Sequence, residues 1–404
     1  MTQGPTISRR AANAPASPIR GLAPLAAEMK ARGVHIYHVN IGQPDLAAPP
    51  EILAAIQPPM SGVIPYAPSQ GQPETVEAWC AYFATVGVHY EPRDLVVTTG
   101  GGEAIGFALV AVADPGDEVL IFDPTYASYL GFAASSNVSL VPVPVSAPDY
   151  HLPPPEEIER FITPRTKAVV IINPSNPTGT VYTRDELGAI MELAQRHNLF
   201  VISDETYREL TFDGREHVSA MHFPGMEQSV IMVDSISKRF SATGLRVGCV
   251  ASRNPEVSSA LLRLAQARLS SPTVEQDAAV PLLRNPTAYT DWLRGVYQAR
   301  RDATYDALLE IPGVTVARPE GAFYVMASLP IADANAFGLW LLTDFERDGE
   351  TVMVAPGPGF YVTPHMGARE VRLAYVLAED HLRRAVELLG EALAVYPHRL
   401  AGAA

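Results

Sequence analysis

The sequence predicts an α/β protein: a mostly parallel sheet with helices on both faces, joined to a smaller α+β domain. Three observations carry this. Between about residues 94 and 252, short apolar runs rich in Val and Ile alternate with helical patterns. After about residue 286 the texture changes to one long helical pattern followed by shorter mixed elements. Five successive apolar runs end in polar or glycine-rich segments, as the carboxyl edge of a ligand-binding sheet should.

The apolar runs are 95–98, 119–122, 168–172, 199–203, 230–233 and 246–250. They are continuous and not alternating, which fits strands buried on both faces. Between two of them, Thr183-Arg-Asp-Glu186 reads as a capping box. It opens a helix whose Leu187, Ile190, Met191 and Ala194 share one face. Asp114-Pro-Gly-Asp117 is a turn. Residues 141–155 hold six prolines and predict a loop or sheet edge. The later part predicts a helix over 289–309, strands over 314–317 and 322–326, and a helix over 333–347. Strands over 352–355 and 371–375 and a closing helix over 379–395 follow. The expected division is 1–46 as an arm plus the first part of the small domain, 47–287 as the large domain, and 288–404 as the small domain.

A chain of 404 residues is too long for one small domain. Hydrophobic content of 47% with 18% charged residues describes a soluble protein with a sizeable core. A formal net charge of −14 argues against nucleic acid as a partner. No apolar run reaches the ~18 residues of a membrane span. Cys80 and Cys249 have neither disulfide nor metal spacing, which suits a reducing, cytoplasmic compartment. Residues 1–20 contain Arg9-Arg10 with no apolar stretch after it, and read as a flexible arm. His35 and His38 lack carboxylate company and predict no metal site, and His217 and His222 read as surface.

Only three of the 30 basic residues are lysines: Lys30, Lys167 and Lys238. A surface cation can be arginine; a Schiff-base nucleophile cannot, because guanidinium keeps its proton. Lys238 stands out by its neighbours, Ser235-Ile-Ser237-Lys-Arg-Phe-Ser-Ala-Thr-Gly-Leu-Arg246-Val-Gly248. The other run ends add Gly100-Gly-Gly102, Asp123-Pro-Thr-Tyr126, Asn173-Pro-Ser-Asn176-Pro-Thr-Gly179 and Asp204-Glu-Thr-Tyr207. The triple glycine before a helix suits a phosphate. Asp204 at the end of an apolar strand needs a cation, and a protonated ring nitrogen would serve.

These motifs resemble the class I and II aminotransferases, fold-type I enzymes that use pyridoxal 5′-phosphate, over about residues 17–396. The most specific piece is Ser235-x-Ser-Lys238-x-x-Ser-x-x-Gly-x-Arg246-x-Gly248, preceded by Asn176-Pro-Thr-Gly179 and Asp204-x-x-Tyr207. Asn40-Ile-Gly-Gln-Pro-Asp45 and Val371-Arg-Leu-Ala-Tyr375 give it a bacterial aspartate-aminotransferase flavour. The resemblance implies a sheet of the seven-stranded type and a homodimer. It implies that Lys238 holds the cofactor and shuttles a proton, that Asp204 keeps the ring nitrogen protonated, and that Asn176 and Tyr207 bind the ring oxygen. Tyr126 would stack on the ring. Gly101, Gly102, Ser235, Ser237 and Arg246 would bind the phosphate, with Tyr66 reaching across from a second subunit. Arg372, with the backbone of Gly42, would clamp the substrate α-carboxylate. Glycine at 102 departs from the family, where a polar side chain is common, and no motif marks a second arginine for a side-chain carboxylate. Arg20, Arg294 and Arg300 are the candidates. Phe323, Tyr324 and Phe360 are expected as core or pocket wall. The implied reaction passes an amino group from an L-amino acid, aspartate first, to 2-oxoglutarate by a ping-pong route. Aromatic donors, or C–S β-elimination on the same scaffold, are the alternatives. A regulator with an aminotransferase-like domain would need a basic winged-helix segment that residues 1–20 are too short to supply.

Overall fold

The structure is a computed structural model and describes residues 5–15, 17, 20–56 and 62–400. Residues 1–4, 16, 18 and 19 of the expected arm lie outside the described residues. Its centre is a seven-stranded sheet in the order Leu95–Thr99, Val247–Ala251, Val230–Ser235, Phe200–Asp204, Thr166–Ile172, Glu118–Asp123, Ser139–Pro144. Val247–Ala251 runs antiparallel to both neighbours, and every other pairing is parallel. Alternate side chains feed two cores. Val97 and Cys249 pack with Trp79, Tyr82 and Phe83 on one face. Val96 and Val250 pack with Ile105 and Leu109 on the other. Each such buried aliphatic contributes about 1.5–3 kcal/mol of transfer free energy, which is why these runs carry no polar face.

The capping box forms: the Thr183 amide donates to Glu186, and the Glu186 amide donates to Thr183 Oγ1 at 3.2 Å. It starts helix Arg184–Arg196, which buries Leu187, Ile190, Met191 and Ala194 as its apolar stripe requires. The Asp114–Asp117 turn closes with a 2.9 Å backbone bond. The proline-rich segment supplies Ser139–Pro144, the outermost strand. It pairs on one side only, so the N–H groups missing at Pro142 and Pro144 need not break an inner ladder.

The rest of the chain forms a four-stranded antiparallel sheet in the order Ala355–Pro356, Glu370–Ala374, Tyr324–Ser328, Thr315–Val316. Helices Thr287–Leu309 and Glu379–Val395 pack beside it. Several boundaries differ from expectation, among them the strand over 322–326, which is Tyr324–Ser328. The helix over 333–347 is Ala334–Thr343, because Arg347 turns back to exchange two backbone bonds with Glu350. The strand over 352–355 is Glu350–Met353, and it pairs in parallel with His35–His38 from the other end of the chain. Local patterning carries no signal for such a distant partner. It also leaves unassigned helices Pro73–Thr85, Pro255–Arg268 and Thr273–Arg284, which cover the sheet.

Candidate active site

Because Val247–Ala251 alone is reversed, the other strands of the large sheet end on one edge, and the chemistry collects there. Lys238 sits on the single helical turn Ile236–Arg239, directly after strand Val230–Ser235. Ser235 Oγ accepts from the Ser237 amide at 3.2 Å and lies 2.8 Å from Ser237 Oγ, so the two hydroxyls are fixed together. Lys238 Nζ donates to the Gly42 carbonyl at 2.8 Å. Burial, then the nearby Arg372 and Arg246 guanidiniums, lower its pKa from 10.5 to about 8. No carboxylate is among the causes of that shift.

Asp204 ends strand Phe200–Asp204 and is buried. Its carboxyl accepts from Thr206 Oγ1 at 2.7 Å and from the Tyr129 hydroxyl at 3.3 Å. No cation among the described residues forms an ion pair with it, and burial raises its pKa to about 6. An acid placed there without a cation fits a positively charged ligand group. Thr206 and Tyr129 were not singled out by the sequence. Their signals are modest: Thr206 closes an Asx turn two residues on, and Tyr129 lies one helical turn past Tyr126.

The glycines open helix Gly100–Val112. Gly100 has φ +71°, and a Cβ on it would strike the Arg246 guanidinium, so glycine lets that arginine lie against the helix N-terminus. Arg246 itself has a left-handed backbone, φ 57°, and donates to the Thr243 carbonyl at 2.9 Å. Gly101, Gly102, Ser235, Ser237 and Arg246 line one pocket of ≈ 110 Å³, a set suited to a phosphate ester. Tyr126, Asn176, Asp204, Tyr207 and Lys238 line the same pocket.

A wider cleft of ≈ 680 Å³ adjoins it, sharing Tyr126, Lys238 and Arg246 and adding Gly42, Arg20 and Arg372. Arg372 is 1% exposed. It donates to Asn176 Oδ1 at 3.0 Å and to the Asn40 carbonyl at 2.8 Å, while its Nε has no hydrogen-bond partner among the described residues. Its guanidinium lies 4.2 Å from the Tyr324 ring centre and 4.6 Å from that of Phe360. Tyr324 also meets the Tyr207 hydroxyl at 2.8 Å, so two of the expected wall residues are tied to the site.

Tyr66 is not brought to this pocket; it is 78% exposed. Of the candidate second arginines, Arg20 alone lines the cleft. Arg300 is committed to Asp45 at 2.7 Å, and Arg294 donates to the Glu209 carbonyl at 3.2 Å. The surface readings of His217 and His222 are corrected. His217 Nε2 lies 3.1 Å from the Asn173 carbonyl, and burial lowers its pKa to about 4. His222 Nε2 lies 2.9 Å from the Val86 carbonyl. Both positions follow an irregular segment whose burial depends on tertiary packing.

A buried lysine amine of lowered pKa, a buried acid and an anion cradle lining one pocket mark an enzyme of amine chemistry on anionic ligands. Comparison with known proteins gives the family. The family model "Aminotransferase class I and II" matches residues 35–389, and the chain belongs to that family. It is 34% identical to the aspartate aminotransferase of Geobacillus stearothermophilus, over 94% of this chain and 97% of that one. It is also 34% identical to an arginine–pyruvate transaminase of Pseudomonas aeruginosa, over 89% and 93%. A solved structure of a Thermus thermophilus aspartate aminotransferase double mutant superposes with a TM-score of 0.87 at 31% identity, over 96% of this chain and all of that one. The protein is therefore an aminotransferase, with the fold-type I sheet the sequence predicted.

Proposed function

We propose a pyridoxal 5′-phosphate-dependent transaminase that takes the amino group of an acidic L-amino acid, aspartate first, and passes it to 2-oxoglutarate. The observation that carries this reading is the charge complementarity around Lys238: a buried acid lacking a cation on one side, and guanidiniums lacking an acid on the other. The donor set fits the cofactor. Gly101, Gly102, Ser235, Ser237 and Arg246 would hold its phosphate, Tyr126 its ring face, Asn176 and Tyr207 its ring oxygen, and Asp204 its ring nitrogen. Bound there, the cofactor supplies an electron sink for charge developing at the substrate α-carbon.

The protein's own groups do the rest. Lys238 would anchor the cofactor through its amine and would move the proton at the substrate α-carbon. A pKa of about 8 leaves roughly a quarter of that amine in its basic form at pH 7.5, against about one part in a thousand at the ordinary value of 10.5. Asp204 stays ionised beside a cationic partner. Arg372 takes the α-carboxylate through paired N–H bonds, helped by the backbone of Gly42. Among the described residues the cleft is lined by Arg20, Lys238, Arg246 and Arg372 and by no acidic side chain. With Arg246 on phosphate and Arg372 on the α-carboxylate, Arg20 is free for a second carboxylate. That favours an acidic donor over an aromatic one, although a family relative of equal identity is named for arginine.

The same reading includes a cytoplasmic homodimer in which Tyr66 reaches the partner's phosphate site, and the domain division at 47–287 and 288–404. Tyr66 lies among exposed Val63 and Ile64, an apolar stretch suited to an interface. The test is a donor screen. The pyridoxal absorption is followed while single amino acids are offered, with Lys238→Arg as the inactive control. Aspartate should bleach the band and alanine should do so less well. A screen in which aspartate is inert removes the acidic-donor assignment.

A further inference from the structure

Beneath the site lies a second set of charged groups, and it alternates with the first along the chain. Asp204 is followed by Glu205, Tyr207 by Arg208, and Lys238 by Arg239, while Ser235 is preceded by Asp234. The site members face the pocket; the other four are buried, with 0% exposure at Glu205, Asp234 and Arg239 and 4% at Arg208. Two acids and two arginines make the set neutral. Arg239 Nη2 donates to both oxygens of Asp234, at 2.7 and 2.8 Å. Arg208 Nη2 donates to Glu205 at 2.6 Å and reaches Asp234 at 3.8 Å. Glu205 is also held by the hydroxyls of Ser203 and Ser219, at 2.8 and 2.9 Å. The arginine faces rest on aromatics: Arg239 is 4.1 Å from the Tyr82 ring centre, and Arg208 is 5.1 Å from that of Phe83.

The connectivity is specific. Arg208 belongs to the turn that carries Asp204 and Tyr207, and Arg239 to the turn that carries Lys238. Asp234 touches both arginines. One buried carboxylate thus ties together the two turns whose spacing sets how Lys238 meets the ring that Asp204 would hold. On a single helical turn, drawing Arg239 down to Asp234 directs its neighbour Lys238 the other way, into the pocket.

We propose that Asp234 and Arg239 are positioning residues: a buried ionic tie that fixes the Lys238 turn against the Asp204–Tyr207 turn. The tie acts through Lys238 and touches no substrate. This rests on the reading of Lys238 as the cofactor's anchor. A buried ion pair is a weak stabiliser, since replacing both charges together often costs little, whereas removing one leaves the other stranded. The double variant Asp234→Asn/Arg239→Gln therefore separates positioning from folding, and Arg239→Lys keeps the charge but loses the planar guanidinium that rests on the Tyr82 ring.

Two readouts are used. The first is the rate at which cofactor-free protein takes up pyridoxal 5′-phosphate, followed by visible absorbance. The second is the division of any rate loss between kcat and KM. The double variant should unfold near the wild-type temperature, take up cofactor about ten- to a hundredfold more slowly, and lose kcat by a similar factor with KM little changed. Arg239→Lys should lie between it and wild type. A double variant that unfolds early but takes up cofactor and turns over normally would show the tie to be structural only, and would overturn the proposal. If the double variant does not fold, Arg239→Lys decides: wild-type uptake and kcat overturn it as well. Wild-type protein that forms no covalent link at Lys238 would instead defeat the functional reading itself.

Discussion

Cofactor-free protein should take up pyridoxal 5′-phosphate at a rate that climbs through a midpoint near pH 8, well below that of an ordinary lysine. Only the neutral amine attacks a carbonyl. An exposed lysine at 10.5 has about one amine in a thousand neutral at pH 7.5, while one at about 8 has roughly a quarter neutral. The buried position of Lys238 thus makes it about two hundred times more available at that pH. The perturbation is Arg372→Gln. Burial is the main cause of the lowering, followed by repulsion from the Arg372 guanidinium. Removing a positive neighbour favours the charged amine, so the midpoint should rise toward the ordinary value and uptake at pH 7.5 should slow. The assay mixes cofactor-free protein with pyridoxal 5′-phosphate at pH values from about 6 to about 10 and follows the visible band. A wild-type midpoint near 10.5, or an Arg372→Gln midpoint that moves down, would refute the reasoning.

Further predictions concern the other site residues. Asp204→Asn preserves shape but cannot balance a protonated ring nitrogen, so turnover should fall by several orders of magnitude with cofactor still bound; near-normal rates would remove that role. Arg372→Lys replaces a planar fork by a point charge and should raise KM for every amino acid and oxo acid tried, whereas a change confined to dicarboxylic substrates would move Arg372 to the side-chain carboxylate. Arg20→Ala should raise KM for aspartate while leaving alanine unchanged, and weaken maleate binding measured by calorimetry; equal effects on both donors would assign Arg20 elsewhere. Lys238→Ala and Tyr66→Ala homodimers should each be impaired, yet after subunit exchange the mixture should exceed the average of the parents, because one site of the heterodimer is intact. No rise with exchange verified would keep Tyr66 within its own subunit.

Much of this protein is legible along the chain because its signals are local. Runs buried on both faces read as continuous Val and Ile, and the Thr183–Glu186 capping box needs only four residues to declare a helix start. Ser235 to Gly248 names its chemistry because a strand end, a one-turn helix and a returning strand must present lysine, hydroxyls and arginine at one edge. The reading fails where partners come from distant parts of the chain. His35–His38 finds its strand partner more than 300 residues away, so neither strand's register is written nearby. Arg20 and Arg300 look alike in sequence. Only packing sends one into the cleft and the other onto Asp45. Glu205, Arg208, Asp234 and Arg239 read as ordinary charges beside catalytic ones. That they are buried, mutually paired and turned away from the pocket is decided by the sheet closing over Trp79, Tyr82 and Phe83, since a charge is acceptable in such a core only where another chain segment brings its counterion.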